Sequence, residues 1–305
     1  MLWSGFLAFV VAMLAIDLGV FHRTSHEVSL KEAGLWSAVW VAFAMAFNGL
    51  VWAMFGPERG LEFATGYLIE KALAVDNIFV FVVIFSAFAI PASLQHRVLF
   101  WGVFGALLMR AAFIFAGGAF LARFHWGIYV FGAVLAVTGV KLLLQKHDEM
   151  DPEKNLVMRL FRRFVPVTRD FDGDRFTTVK GGRRHATPLL LALVSVEVTD
   201  LVFAVDSIPA IFAVTRDPFL VFTSNIFAIL GLRSMYFLLA GVIGKFVYLK
   251  TGLSFVLVFV GTKMLAMDLV KVPIGVSLGV IAGILVVSVL ASLWKPASRP
   301  VAAAS

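Results

Sequence analysis

Cysteine is absent from the chain, so it holds neither a disulfide framework nor a thiolate metal site, and any bound metal must be held by oxygen or imidazole. Charged residues are scarce, at 15% against 61% hydrophobic, and the mean hydropathy is +0.95. A soluble core could not hide that much apolar surface in 305 residues, so a soluble protein is excluded. No nucleotide-binding motif and no paired nucleophile and base are evident, so an enzyme is not expected and no catalytic cofactor is called for. The first apolar segment, Trp3 to Phe21, lacks a basic leader and a small-residue cleavage site. It is read as a retained helix.

What is present suits a bilayer, whose core takes about 20 apolar residues per helix. On that ruler the chain is an all-α polytopic membrane protein with nine spans, at 3–21, 36–55, 67–89, 98–118, 126–144, 188–213, 218–240, 252–270 and 273–294. The whole of 1–305 is read as a single transmembrane transport domain. The net charge of +7 does not point to nucleic acid, because ten of the 26 Lys and Arg lie in the one connection 145–187. Segments following odd-numbered spans carry 17 Lys or Arg and those on the other side four. The positive-inside rule then puts the N-terminus outside and the C-terminus and 145–187 in the cytoplasm, in a bacterial inner membrane.

Within the cytoplasmic connection, Leu156 to Phe164 is a basic stretch with apolar residues on one helical face, expected to lie on the anionic membrane surface. Asp170-Phe171-Asp172-Gly173-Asp174 has its glycine too early for a calcium loop and no closing Glu, and is read as a plain turn. His22 and His26 have metal-ligand spacing but sit beside Arg23 at a membrane boundary, and His147-Asp148-Glu149 is a charge run. Both are read as solvated.

An internal repeat organises the rest. Ala74-Val75-Asp76-Asn77-Ile78 returns as Ala204-Val205-Asp206-Ser207-Ile208, Arg110 with Ala116-Gly117 returns as Arg233 with Ala240-Gly241, and Gly139-Val140-Lys141-Leu142 returns as Gly261-Thr262-Lys263-Met264. The repeats cover about 67–144 and 188–270. Each holds three helices, and an odd number of crossings inverts the second copy, which places a substrate site near the midplane between equivalent interrupted helices.

Six carboxylates fall three or more residues inside spans: Asp17, Glu70, Asp76, Glu197, Asp200 and Asp206. Each costs about 2.5–3.5 kcal/mol at the bilayer centre on insertion scales, so they call for a purpose. Their excess over intramembrane bases suits a cation. Glu70 and Asn77 share a helical face, as do Asp200 and Ser207, while Asp76 and Asp206 sit about 120° away. Pro209 is expected to bend its helix and free the carbonyl of Val205 as a further ligand. These oxygens favour Mn2+, Mg2+ or Ca2+. The bland alternative pairs the acids with Arg110, Arg233 and Lys71 simply to hold helices together.

Glu70 to Asn77, Gln95 to Gly102, Asp206 to Ala210 and Thr223 to Arg233 resemble motifs of the TerC family of membrane proteins, in the same order, within a likeness running from about Phe9 to Asp268. The resemblance implies manganese efflux and carries the family's acidic positions onto Glu70, Asp76, Asn77, Glu197, Asp200, Asp206 and Ser207. The expected function is export of a divalent cation, Mn2+ first, with protons as counter-substrate and the bilayer as surroundings. A membrane assembly or metal-delivery factor acting through a protein partner is the rival.

Overall fold

The computed structural model describes residues 2–21, 29–124, 126–144, 161, 165–168, 170–240 and 248–294, with the side chains of 14–21 and 76 outside that description. The helices are α1 (Leu2–Phe21), α2 (Leu30–Phe55), α3 (Pro57–Ala87), α4 (Ala92–Arg123), α5 (Gly127–Leu144), α6 (Pro188–Phe212), α7 (Pro218–Leu230), α8 (Leu232–Ala240), α9 (Leu249–Leu265) and α10 (Ile274–Trp294). Local chemistry sets several starts. Pro opens α3, α6 and α7, where its missing amide costs nothing, and Asp217 caps α7 by accepting from the Phe219 amide at 2.9 Å. Between α2 and α3 the chain reverses at Gly56, whose φ of 89° a side chain would resist.

Five helices, α2, α4, α5, α6 and α10, are long and apolar enough to cross a membrane, or six when α7 and α8 count as one span bent by 42°. The other expected crossings differ for identifiable reasons. Glu70, Lys71 and Asp76 interrupt α3, and α9 has only 17 residues. Around Gly231 the seventh expected span is broken, not continuous. The all-α expectation also misses a hairpin in the connection 145–187, β1 (Thr177–Lys180) antiparallel to β2 (Arg183–Ala186), with Lys180 opposite Arg183. Its two-residue turn is Gly181-Gly182 with φ of 59° and 75°, the left-handed pair that matches strand twist. Asp172 to Arg175 forms a turn, as read, and Asp174 pairs with Arg97 at the start of α4. The stretch 156–164, expected on the membrane surface, lies outside the described residues apart from Phe161, as do His22, His26 and His147-Asp148-Glu149.

Close backbone contacts fix how the helices sit. A Cβ on Gly261 of α9 would stand 2.5 Å from the Ala136 nitrogen and 2.7 Å from the Gly132 oxygen of α5. Reciprocally, one on Gly139 of α5 would meet the Ser254 oxygen of α9 at 2.8 Å. Numbers rise on one helix as they fall on the other, so α5 and α9 run antiparallel, joined through glycine, as is common in lipid, where close packing replaces the hydrophobic effect. Helices α4 and α6 approach through Gly102 against Val196 and Gly105 against Glu197. A layer of aromatic rings sets Trp3 and Phe6 of α1 against Phe219 and Phe222 of α7.

A buried acid and arginine site between two motif helices

Arg110 of α4 is 1% exposed, and around it α3 and α6 bring in their polar residues. Its Nη2 donates to Asp200 Oδ1 at 2.8 Å and its Nε to Asp200 Oδ2 at 3.2 Å, a two-pronged grip that only a planar guanidinium makes. Its Nη1 forms an ion pair with Glu70 and donates to Ser207 Oγ at 3.3 Å. Asn77 Nδ2 reaches Asp200 Oδ1 at 3.5 Å, a weak contact at that length. Glu70, Asn77, Asp200 and Ser207 are all buried. Two carboxylates against one guanidinium leave a formal excess of one negative charge.

The spacing argument thus converges for four of the candidates. Glu70 and Asn77 come one face deep from α3, Asp200 and Ser207 from α6, and Arg110 lies between them. Neither Glu70 Oε2 nor Asn77 Oδ1 has a hydrogen-bond partner among the described residues. Buried acceptors are rarely left so.

The remaining candidates lie elsewhere. Asp206 is half-buried and accepts from Thr138 Oγ1 of α5 at 3.1 Å, so it faces α5 and not Arg110. Helix α6 runs through Pro209 to Phe212 as one element, and the Val205 side chain is exposed, about 140° around an ideal helix from Asp200. Glu197 rests its carboxylate where a Cβ on Gly105 would be. Lys71, expected as a charge partner, instead donates to the Ala228 carbonyl at 3.2 Å and lies over the Tyr67 ring. Arg233 is buried on α8. The side chains of Asp76 and Asp17 lie outside the described part. Among the described residues no three His, Asp or Glu side chains gather as a metal-holding group. Thr138 and Gly105 were missed in the sequence, because what marks them is the helix packed opposite.

Comparison with known proteins matches residues 55–299 to the family described as integral membrane protein TerC family. The chain belongs to that family. This TerC-family protein is 66% identical over 299 residues to an uncharacterized membrane protein of Myxococcus xanthus, covering 98% of this chain and 94% of that one. It is 49% identical over 304 residues to Alx of Escherichia coli K12, named there as a candidate membrane-bound redox modulator, covering 96% and 94%. A membrane protein of Rickettsia felis is 38% identical over 295 residues, covering 97% and 98%. No solved structure matches. As a TerC-family protein with apolar spanning helices, the chain is an integral membrane protein.

Proposed function

We propose that this TerC-family protein exports a divalent metal cation, Mn2+ in the first place, by alternating access of two inverted three-helix repeats. The observation that carries the reading is the convergence of Glu70, Asn77, Asp200 and Ser207 on Arg110, inside helices that carry the same Ala-Val-Asp motif. Buried carboxylates with an uncancelled negative charge at membrane depth are costly unless a cation visits them. Oxygen ligands without cysteine or histidine suit Mn2+, with Mg2+ and Ca2+ as competitors.

The inverted arrangement draws support from α5 and α9, the third helices of the two repeats. Gly139 and Gly261 are equivalent in the repeat, and so are Gly132 and Ser254, seven residues before them. Gly261 packs on Gly132 while Gly139 packs on Ser254, the reciprocal pairing that a twofold relation between antiparallel copies produces. The nine-crossing path is supported by which ends meet. Thr215 donates to Glu62 and Tyr129 to Asp268 on one side, while Tyr236 donates to Gln95 and Arg97 pairs with Asp174 on the other. On this path the second side is cytoplasmic.

Expelling a divalent ion against 100 mV, inside negative, requires about 4.6 kcal/mol, twice the roughly 2.3 per charge. With no nucleotide motif, protons are the proposed counter-substrate: carboxylates take up protons as the cation leaves and release them as it enters. Everted vesicles give the test. Mn2+ uptake by the wild type should fall when the pH gradient is collapsed and vanish in Asp200→Asn; uptake indifferent to both would overturn the reading. The redox name belongs to the Alx relatives. Without cysteine, this chain has no thiol through which to act in that way.

A further inference from the structure

Asn225 of α7 is 0% exposed, and neither its Nδ2 nor its Oδ1 has a hydrogen-bond partner among the described residues. Turning the amide over changes nothing, since a donor and an acceptor are both left. Buried amides almost always find partners.

Its place follows from how α7 lies along α3. Ser224 Oγ stands 2.9 Å from where a Cβ on Gly66 would be, and Lys71 Nζ donates to the Ala228 carbonyl at 3.2 Å. Both pairs rise together, so the helices are parallel. Asn225 is therefore level with Tyr67, whose buried hydroxyl also lacks a partner among the described residues, and lies about one helical turn from Glu70. Further toward the start of α3 a cavity of about 530 Å³ opens, whose polar lining is Arg59, Glu62, Thr215, Arg216, Asp217 and Lys263, with Arg59 paired to Glu62 and Asp217. Along the α3 axis, Asn225 thus stands between this cavity and the Glu70 to Arg110 pair.

We infer that Asn225 is a further oxygen ligand of the transported divalent cation, serving the step between the buried acids and the cavity beside Glu62 and Thr215. This rests on the transport reading above. An amide oxygen is a hard, neutral ligand that holds Mn2+ without adding charge to a site that already has two carboxylates. It also explains why a polar group is kept where packing alone would favour an apolar one.

The test uses full-length protein in liposomes with Mn2+ as the probe, and Mn2+ binding to the purified protein by electron paramagnetic resonance. Asn225→Leu should lower Mn2+ flux at least about tenfold, the scale on which lost ligand support shows, with a melting temperature equal to or above that of the wild type. Asn225→Asp should bind Mn2+ more tightly than the wild type. If Asn225→Leu loses stability, Asn225→Asp decides: wild-type Mn2+ affinity would mark an amide satisfied by structural water and overturn the inference. Unchanged flux in Asn225→Leu, in a protein that Asp200→Asn disables, overturns this inference alone. A wild type that moves no Mn2+ removes both readings together.

Discussion

Arg110 holds Asp200 through two nitrogens, at 2.8 and 3.2 Å, while its third reaches Glu70 on a different helix. One guanidinium therefore ties α3, α4 and α6 together and stands where a cation would be drawn. The bland reading and the functional one share this geometry, so the arginine separates them.

Arg110→Met should leave two buried carboxylates without their countercharge and lower stability by about 3–5 kcal/mol. Thermal unfolding in detergent checks this. If the acids hold cargo, added Mn2+ should raise the melting temperature of Arg110→Met more than that of the wild type, because ligand binding stabilises the folded state. Equal response in both proteins would favour a purely structural role.

Asp206→Asn isolates the second kind of acid. The substituted side chain keeps an oxygen to accept from Thr138 Oγ1, so folding should be preserved while the charge is lost. Mn2+ flux is expected to collapse at unchanged melting temperature, and Asp76→Asn, its repeat equivalent, to behave alike. Near-normal flux in both would remove these two residues from the cation path.

Gly261→Ala should be among the most damaging small substitutions, since its methyl would meet backbone atoms of α5 at 2.5–2.7 Å and force α5 and α9 apart. A loss of about 1–3 kcal/mol is expected. Gly275→Ala, with nothing within 4 Å, is the control and should unfold at the wild-type temperature. Comparing the two melting temperatures tests the glycine joint directly.

The cysteine-free chain makes topology measurable with single introduced thiols. Asp217→Cys should react with an impermeant maleimide from outside intact cells, and Lys180→Cys only after the membrane is opened. Lys180 is exposed, and Asp217 is part-buried with its side chain 36% exposed, so both can be reached by the reagent. The reverse pattern would invert the path across the bilayer.

Much of the site could be read from one-dimensional order. Residues seven apart share a helical face whatever the surroundings, so Glu70 with Asn77 and Asp200 with Ser207 followed from spacing alone, and hydropathy marked where most of the helices lie. Periodicity also placed Asp206 off that face, and its bond to Thr138 agrees.

What spacing could not supply is which helix stands opposite. The sequence offers Arg110 as one of three partners, but only the packing of α4 between α3 and α6 selects it, while Lys71 donates to a carbonyl of α7. The break at Gly231, the hairpin at Gly181-Gly182 and the partnerless amide of Asn225 belong to the same class. Each depends on contacts between residues far apart in the chain. A periodic pattern fixes a side chain's direction on its own helix, but the neighbour it meets is set by how close the glycine-lined backbones can come.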